Sequence, residues 1–175
     1  GTPSYPEHQN LLYYLDQEGQ KHSVETVADW EIRRRHILAG MQQVMGELPG
    51  PAKRVPLDVK QIEEVHVGNL IRRKITYQTD PDDRVSAYLF VPQTGGKKSP
   101  AVLCLQQTTT IGKDEPAGLG GDPNLHYALH LARRGYVTLA PDYPSFGEHA
   151  YDFAASRTYQ SGTMKAIWDN MRAVD

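Results

Sequence analysis

The sequence predicts an α/β fold built around one parallel β-α-β unit. Two short apolar runs, 101–105 and 136–140, each lead into a loop of polar residues, proline or glycine, and a helix-like segment separates them. Apolar runs of this length between turn residues are typical of strands buried in a parallel sheet. In open sheets of this class, functional groups lie beyond the carboxyl ends of the strands. We therefore expect the functional residues in 106–121 and 142–149.

A polar lead-in and a long helix come before this unit. We assign 1–25 to the lead-in and 26–175 to a single domain. The domain begins with a helix near Thr26, which has Asp29 in its first turn. Gly46 and the prolines after it are expected to end the helix. Its apolar stripe, spaced at three and four residues, consists of Trp30, Ile37, Met41, Val44, Met45 and Leu48.

An antiparallel hairpin is predicted after the helix. The segment 65–79 is rich in β-branched residues, 85–91 alternates apolar and polar residues, and Asp-Pro-Asp-Asp occupies 80–83 between them. Turn residues of this kind between two strand-like runs predict a hairpin that leads into the parallel unit.

The parallel unit and one further helix complete the predicted order. Asp122 followed by Pro123 is a favoured helix start, and Gly135 is a favoured helix end. The crossover between the two strands should be right-handed. A last helix is predicted from about Gly162, and its apolar face consists of Met164, Ile167, Trp168, Met171 and Val174.

Charge and composition argue against several kinds of partner. The formal net charge is −2 and the isoelectric point is near 6.4, so neither nucleic acid nor an anionic membrane is expected. The arginines at 33–35 form a basic cluster that we expect on the solvated face of the first helix. The single cysteine, Cys104, excludes an internal disulfide and a cysteine zinc site, and it is expected to be a small buried apolar residue.

The cellular location stays open at this point. The sequence contains no apolar run of transmembrane length, and it does not open with a charged segment followed by an apolar one. Both the cytoplasm and export remain possible, since a signal peptide could have been removed before Gly1.

Two searches for catalytic groups favour ordinary structural roles. The nearest string to a Gly-x-Ser-x-Gly nucleophile elbow surrounds Ser145, but Tyr143 stands where the elbow needs a small residue, which predicts a loop serine. His126 and His130 share a helix face, yet Tyr127 replaces the glutamate of a His-Glu-x-x-His motif and no third ligand is indicated. We therefore expect no metal site.

The polar loop after the first apolar run is the strongest remaining candidate. Gln106 is followed directly by Gln-Thr-Thr-Thr. Backbone N–H groups that leave the end of a strand in a parallel sheet can point into the crevice and hold a developing oxyanion. From these residues alone, an ordinary solvent-facing loop is an equally good interpretation.

Several segments resemble bacterial esterases of the α/β-hydrolase family, in particular acetyl-xylan-esterase-like and dienelactone-hydrolase-like proteins. The resemblance covers about 26–175, and the order of the segments is what makes it specific. These segments are Trp30-Glu-Ile-Arg33-Arg34, Ala87-Tyr-Leu-Phe-Val-Pro92, Pro100-Ala-Val-Leu-Cys-Leu-Gln106, Leu131-Ala-Arg-Arg-Gly135-Tyr-Val-Thr-Leu-Ala-Pro-Asp142 and Tyr143-Pro-Ser-Phe-Gly147-Glu-His149.

The resemblance implies a serine carboxylic-ester hydrolase that uses an acyl-enzyme and no cofactor. In this alignment Gln106 takes the place of a common histidine. The backbone N–H of Thr108, or that of Gln107, would then be an oxyanion donor.

The same resemblance implies a substrate site that this chain forms only in part. Asp142 and the turn from Ser145 to His149 would shape the rim of the pocket for a small-molecule ester. The nucleophile, acid and histidine of the family follow the last predicted helix, so 1–175 would be the N-terminal part of the domain. We expect this chain to be inactive alone, with the remainder of its own domain as its partner.

Two alternatives remain beside the esterase. One is a peptidase of the prolyl-oligopeptidase-like branch, although no propeller domain is visible in the sequence. The other is a non-catalytic binding module that kept the fold and lost the triad.

Overall fold

The computed structural model describes residues 2–96, 98–156 and 158–175. The chain divides into two compact units, Gly1–Leu48 and Pro49–Asp175. The division into a lead-in at 1–25 and a domain at 26–175 stays a prediction.

The first unit contains a small hairpin and the long helix. Strands β1 (Tyr13–Leu15) and β2 (Lys21–Ser23) pair antiparallel, within the segment predicted as an irregular lead-in. Helix α1 spans Val27–Met45 and begins where the sequence predicts, because Thr26 and Asp29 cap each other's backbone N–H groups. Gly46 is the residue at which it ends.

Arg33 corrects the expectation that the basic cluster at 33–35 is solvated. Its residue exposure is only 3%, and its guanidinium lies 3.4 Å from the centre of the Tyr5 ring and 5.4 Å from that of Tyr13. Stacking on two aromatic rings replaces water for the guanidinium. Arg33 is therefore a packing residue, although its position in a run of three arginines suggests a solvated face.

The second unit contains a mixed five-stranded sheet. Its strands, in chain order, are β3 (Lys60–Val67), β4 (Leu70–Asp80), β5 (Asp83–Pro92), β6 (Ala101–Leu103) and β7 (Val137–Pro141). Across the sheet the strand order is β3-β4-β5-β7-β6. The neighbouring pairs from β3 to β7 are antiparallel, and β6 pairs parallel with β7.

Two details of the sheet differ from the prediction. The run 65–79 is not one strand, because Gly68, with φ of +61°, and Asn69 turn the chain between β3 and β4. The first apolar run is also not buried throughout. Strand β6 is last in the strand order, so Ala101 is exposed and the outer edge of β6 is unpaired in the described part of the chain.

Helices cover both faces of the sheet. On one face, Ala128 and Ala132 of helix α2 (Tyr127–Arg133) pack with every second residue of β5. On the other face, Ala173 of helix α3 (Gly162–Val174) packs with the residues of β5 that lie between those. The predicted start at Asp122 holds for a 3₁₀ turn, Pro123–Leu125, that precedes α2. Layers of helices on a sheet are the α/β architecture that the sequence predicts. Among the described residues, no helix combines the length and hydropathy needed to cross a bilayer.

Candidate active-site loops

The loop that follows β6 carries the predicted oxyanion donors. Gln107 and Thr108 are exposed, whereas Gln106 is buried, with 6% of its surface exposed. Neither amide atom of Gln106 has a hydrogen-bond partner among the described residues. Further along, Gly112 N donates to Thr109 O at 3.1 Å and closes a turn. The loop thus offers two exposed residues beside a buried amide.

Asp142 anchors the loop that follows β7. Its side chain is fully buried, and its carboxylate accepts three hydrogen bonds. Lys113 N donates to Oδ1 at 2.8 Å, Lys113 Nζ donates to Oδ2 at 2.6 Å, and Glu148 N donates to Oδ2 at 3.0 Å. This carboxylate therefore shapes the loops from inside and does not face solvent.

Glu148 extends the Asp142 network toward the antiparallel strands. Its carboxylate accepts from Lys113 Nζ at 2.9 Å, from Lys74 Nζ at 2.5 Å and from Ser86 Oγ at 2.9 Å. Partial burial raises the pKa of Glu148, but the hydrogen bonds from Lys74, Lys113 and Ser86 outweigh it and lower the pKa to about 2. The network is neutral, with two lysines and two carboxylates.

Two glycines let the loops close around the Asp142 carboxylate. Gly112 and Gly147 have φ of +57° and +56°. A Cβ added at either position would lie 2.2 Å or 2.1 Å from Asp142 Oδ1, closer than any real contact. The one at Gly112 would also lie 2.8 Å from Gln106 Oε1, so the Gln106 amide belongs to the same closely packed centre.

His149 lies in a second charged cluster, away from the loop after β6. It is buried, and its Nε2 lies 3.0 Å from Asp83 Oδ1. Asp83, His149 and Asp169 offer possible metal-ligand atoms within 4.8 Å of one another. However, Lys165 Nζ lies 2.5 Å from a carboxylate oxygen of each aspartate. The cation at this place is therefore the protein's own ammonium group.

Ser145 has an unusual backbone and an ordinary hydroxyl. Its φ is +70°, in the left-handed region, and its N–H donates to His149 O at 2.8 Å. Its Oγ donates to Tyr151 O at 2.8 Å and is not bonded to an imidazole. Ser145 lines an apolar groove of about 540 Å³, whose other lining residues include Leu105, Tyr143, Phe146, Phe153, Ala166 and Ile167.

The structure does not bring all of the predicted site residues together. Gln106 and Asp142 both lie beside Gly112, whereas Ser145 lines the groove and His149 contacts Asp83. Gln107 and Thr108 are exposed in the loop after β6. Sequence reasoning missed Lys113. A signal was available, because an aspartate directly after a buried strand needs a positive partner, and Lys113 is the single cation in 106–121.

Solved structures with this fold include several esterases. A Bacteroides fragilis protein assigned as an acetyl xylan esterase superposes with a TM-score of 0.65 at 18% identity, over 98% of this chain and 54% of its own. Glucuronoyl esterase from Solibacter usitatus superposes with a TM-score of 0.65 at 15% identity, over 99% of this chain and 54% of its own. For acetyl xylan esterase 1 from Thermoanaerobacterium the TM-score is 0.52 at 15% identity, over 70% of this chain and 40% of its own. The chain thus spans about half the length of the solved structures it matches.

The sequence comparison identifies the family. No curated protein sequence matches the chain. The model of the Abhydrolase family matches residues 16–171, nearly the whole chain. The α/β-hydrolase-like mixed sheet described above agrees with that match. The chain therefore belongs to the Abhydrolase family.

Proposed function

We propose that the whole protein is a serine carboxylic-ester hydrolase, and that this chain supplies the loop that holds the oxyanion. The observation that carries the proposal is the loop after β6. It places Gln107 and Thr108 at the surface of the sheet edge where β7 also ends, and it is joined to the loop after β7 through Lys113 and Asp142. That the similar solved structures are named as esterases supports the same activity.

The proposed reaction is acyl transfer through an ester carbonyl. A serine attacks the carbonyl carbon while the base takes its proton, and the carbonyl electrons move to oxygen. The carbonyl then re-forms, the C–O bond to the alcohol breaks, and the alcohol leaves with the proton from the base. Water then attacks the acyl-enzyme and releases the acid. In both steps the backbone N–H of Thr108, or that of Gln107, donates to the oxyanion, where a fixed donor stabilises the transition state more than the substrate.

We assign the attacking serine, the base and the acid to a part of the protein outside 1–175. Two observations support this assignment. The chain spans about half the length of its structural neighbours, and the Ser145 hydroxyl is bound to the Tyr151 carbonyl. The apolar groove beside Ser145, and the edge of β6 that has no pairing strand among the described residues, would then face the remainder of the domain.

The test compares the whole protein with the 175-residue chain on p-nitrophenyl acetate and with a fluorophosphonate that labels active serines. We expect the whole protein to hydrolyse the ester and take up one phosphonyl group, and the 175-residue chain to do neither. Hydrolysis by the shorter chain that is lost in Ser145→Ala would overturn the assignment of the nucleophile.

Two further outcomes separate the alternatives. A whole protein that neither hydrolyses the ester nor takes up the phosphonate would exclude the esterase and favour a binding module. Cleavage of a prolyl p-nitroanilide with no activity on esters would favour the peptidase.

A further inference from the structure

We infer that Lys113 is a positioning residue for the oxyanion loop. Its buried pair with Asp142 holds the main chain of 106–112 in the conformation that presents the N–H groups of Gln107 and Thr108. The inference rests on the proposed function for its catalytic consequence, and on the contacts of Lys113 for its structural one.

Lys113 is attached to one carboxylate through both its main chain and its side chain. Its backbone N–H binds Asp142 Oδ1 and its ammonium binds Oδ2, and its side chain is 1% exposed. Two attachments from one residue to two oxygens of one group fix the orientation of that residue as well as its position. Ordinary surface ion pairs lack this constraint because a flexible stem separates the charge from the backbone.

Asp142 is itself fixed to the sheet. Its N–H donates to Ser86 O in β5 at 2.9 Å, and its carboxylate also accepts from Glu148 N. The path from Lys113 to the central strands therefore consists of short hydrogen bonds between buried groups. A displacement of Lys113 would need to break several of them together.

The other end of the loop is fixed to β7, the strand that Asp142 follows. Cys104 N donates to Leu139 O in β7 at 2.7 Å, so the segment from Cys104 to Lys113 is attached to β7 at one end and to Asp142 at the other. Inside this segment Gly112 N donates to Thr109 O, and Ile111 O and Gly112 O accept from Asp114 N and Glu115 N at its far end. Removing the attachment at Lys113 would release one end of the segment while the sheet stays intact.

The choice of lysine also indicates a role in geometry. An apolar pair of similar volume can stabilise a buried site as well as an ion pair does, because charges lose hydration on burial. The ammonium adds directed hydrogen bonds to Asp142 and Glu148, which come from two ends of the loop after β7. It thereby fixes the two candidate active-site loops relative to each other.

The test uses the whole protein with Lys113→Met, Lys113→Arg and a matched control, Lys74→Met. Lys74 binds the outer oxygen of Glu148 and does not touch Asp142, so the control removes a lysine from the network but keeps the pair. We expect Lys113→Met to lower kcat per phosphonate-titrated site by about 10- to 100-fold with KM within about threefold. Lys113→Arg should recover part of kcat, and Lys74→Met should stay near wild type.

Amide hydrogen exchange provides a measurement that needs no substrate. In Lys113→Met, exchange at 112–114, whose N–H groups are hydrogen-bonded in this structure, should be at least about tenfold faster while exchange in β4 and β5 is unchanged. Unchanged exchange in the loop overturns the inference, as does an unchanged kcat in an active protein. If the wild type hydrolyses no ester, the proposed function fails, and the exchange rates still decide whether Lys113 positions the loop.

Discussion

Two lysines are buried in the described part of the second unit, and they connect different elements. Lys113 joins the loops after β6 and β7, where Asp142 and Glu148 balance its charge together with that of Lys74. Lys165 projects from α3 into a richer acidic cluster. Its ammonium lies within 3.3 Å of Asp80, Asp83 and Asp169, and Thr79 also contacts it. The first lysine is thus part of the candidate site, and the second belongs to the scaffold.

The pKa shifts in the Lys165 cluster follow from burial and from the contacts between the Lys165 ammonium and the carboxylates around it. Burial lowers the pKa of Lys165, but the charge of Asp169 and hydrogen bonds with Asp169 and Asp83 outweigh it and raise the pKa. For Asp83, burial is outweighed by hydrogen bonds from His149 and Lys165, so its pKa lies well below the usual range. For Asp169, burial prevails and its pKa is raised. Three carboxylates share this ammonium, so its loss affects all of them.

Lys165→Met should have the largest effect on stability. It would leave the carboxylates around it without their central cation, and breaking a buried ion pair from one side costs about 3–5 kcal/mol. Urea unfolding of the whole protein measures the loss. Lys53→Met is the matched control, because Lys53 lies 3.0 Å from the other oxygen of Asp80 and is partly exposed, so it should lose about 1 kcal/mol or less. Equal losses in the two variants would contradict the assignment of Lys165 as the scaffold cation.

Gly147→Ala should have the next largest effect, through the Asp142 centre. The new Cβ would lie 2.1 Å from Asp142 Oδ1, and φ of +56° is itself unfavourable for alanine. Strain and displacement of the carboxylate together should cost about 2–4 kcal/mol in urea unfolding.

Gly135→Ala controls for the backbone strain in that experiment. Gly135 has φ of +95° and nothing within 4 Å of an added Cβ, so its substitution should cost only about 1 kcal/mol. A similar loss in both variants would show that the loops are not closed tightly around Asp142.

Part of the fold is predictable because its signals lie within a few neighbouring residues of the sequence. The capping pair Thr26 and Asp29 predicted the start of α1, and turn residues predicted the hairpin between β4 and β5, because both signals are local. The Gly68-Asn69 turn was missed because β-branched residues lie on both sides of it.

The candidate site was predictable in position and not in detail. Asp142 was expected at the sheet edge because it follows an apolar run. Its partner Lys113 lies 29 residues away, and the Lys165 partners Asp80 and Asp83 lie 85 and 82 residues away, so periodicity carries no information about these pairs. The pair of Lys165 with Asp169 differs, because its spacing of four residues on one helix can be read from the sequence. The sequence also predicts a solvated Arg33, because Tyr5 and Tyr13, whose rings contact it, lie outside the helix and do not appear in its periodicity.

Tyr159→Phe tests a single hydrogen bond in the Lys165 cluster. Tyr159 is buried, and its hydroxyl donates to Asp80 Oδ2 at 2.8 Å. Burial and this bond to a carboxylate raise the pKa of Tyr159, so the hydroxyl keeps its proton. Phenylalanine would retain the ring beside Lys165 and lose the donor, which should cost about 1 kcal/mol in urea unfolding. A loss as large as that of Lys165→Met would show that the hydroxyl, and not the ammonium, holds the cluster together.

The smallest expected effect is a pH dependence that distinguishes the two clusters. The pKa of Glu148 is about 2 in the folded protein, against an ordinary value of 4.5. A lowered pKa means that ionised Glu148 stabilises the fold above pH 4.5 and that this stabilisation is lost as the pH falls toward 2. The effect is modest, since half of the side chain is exposed.

The measurement is the difference in unfolding free energy between wild type and Glu148→Gln at several pH values from 7 to 3. It should be positive at pH 7 and become smaller below pH 4.5. The pKa of Asp83 is also held well below its ordinary value, which is 3.8 and so lower than the 4.5 of Glu148. The corresponding difference for Asp83→Asn should therefore begin to fall only at a lower pH. If the Glu148 difference stays constant from pH 7 to 3, Lys74 and Lys113 do not lower the pKa of Glu148. The acid response would then come from the Lys165 cluster alone.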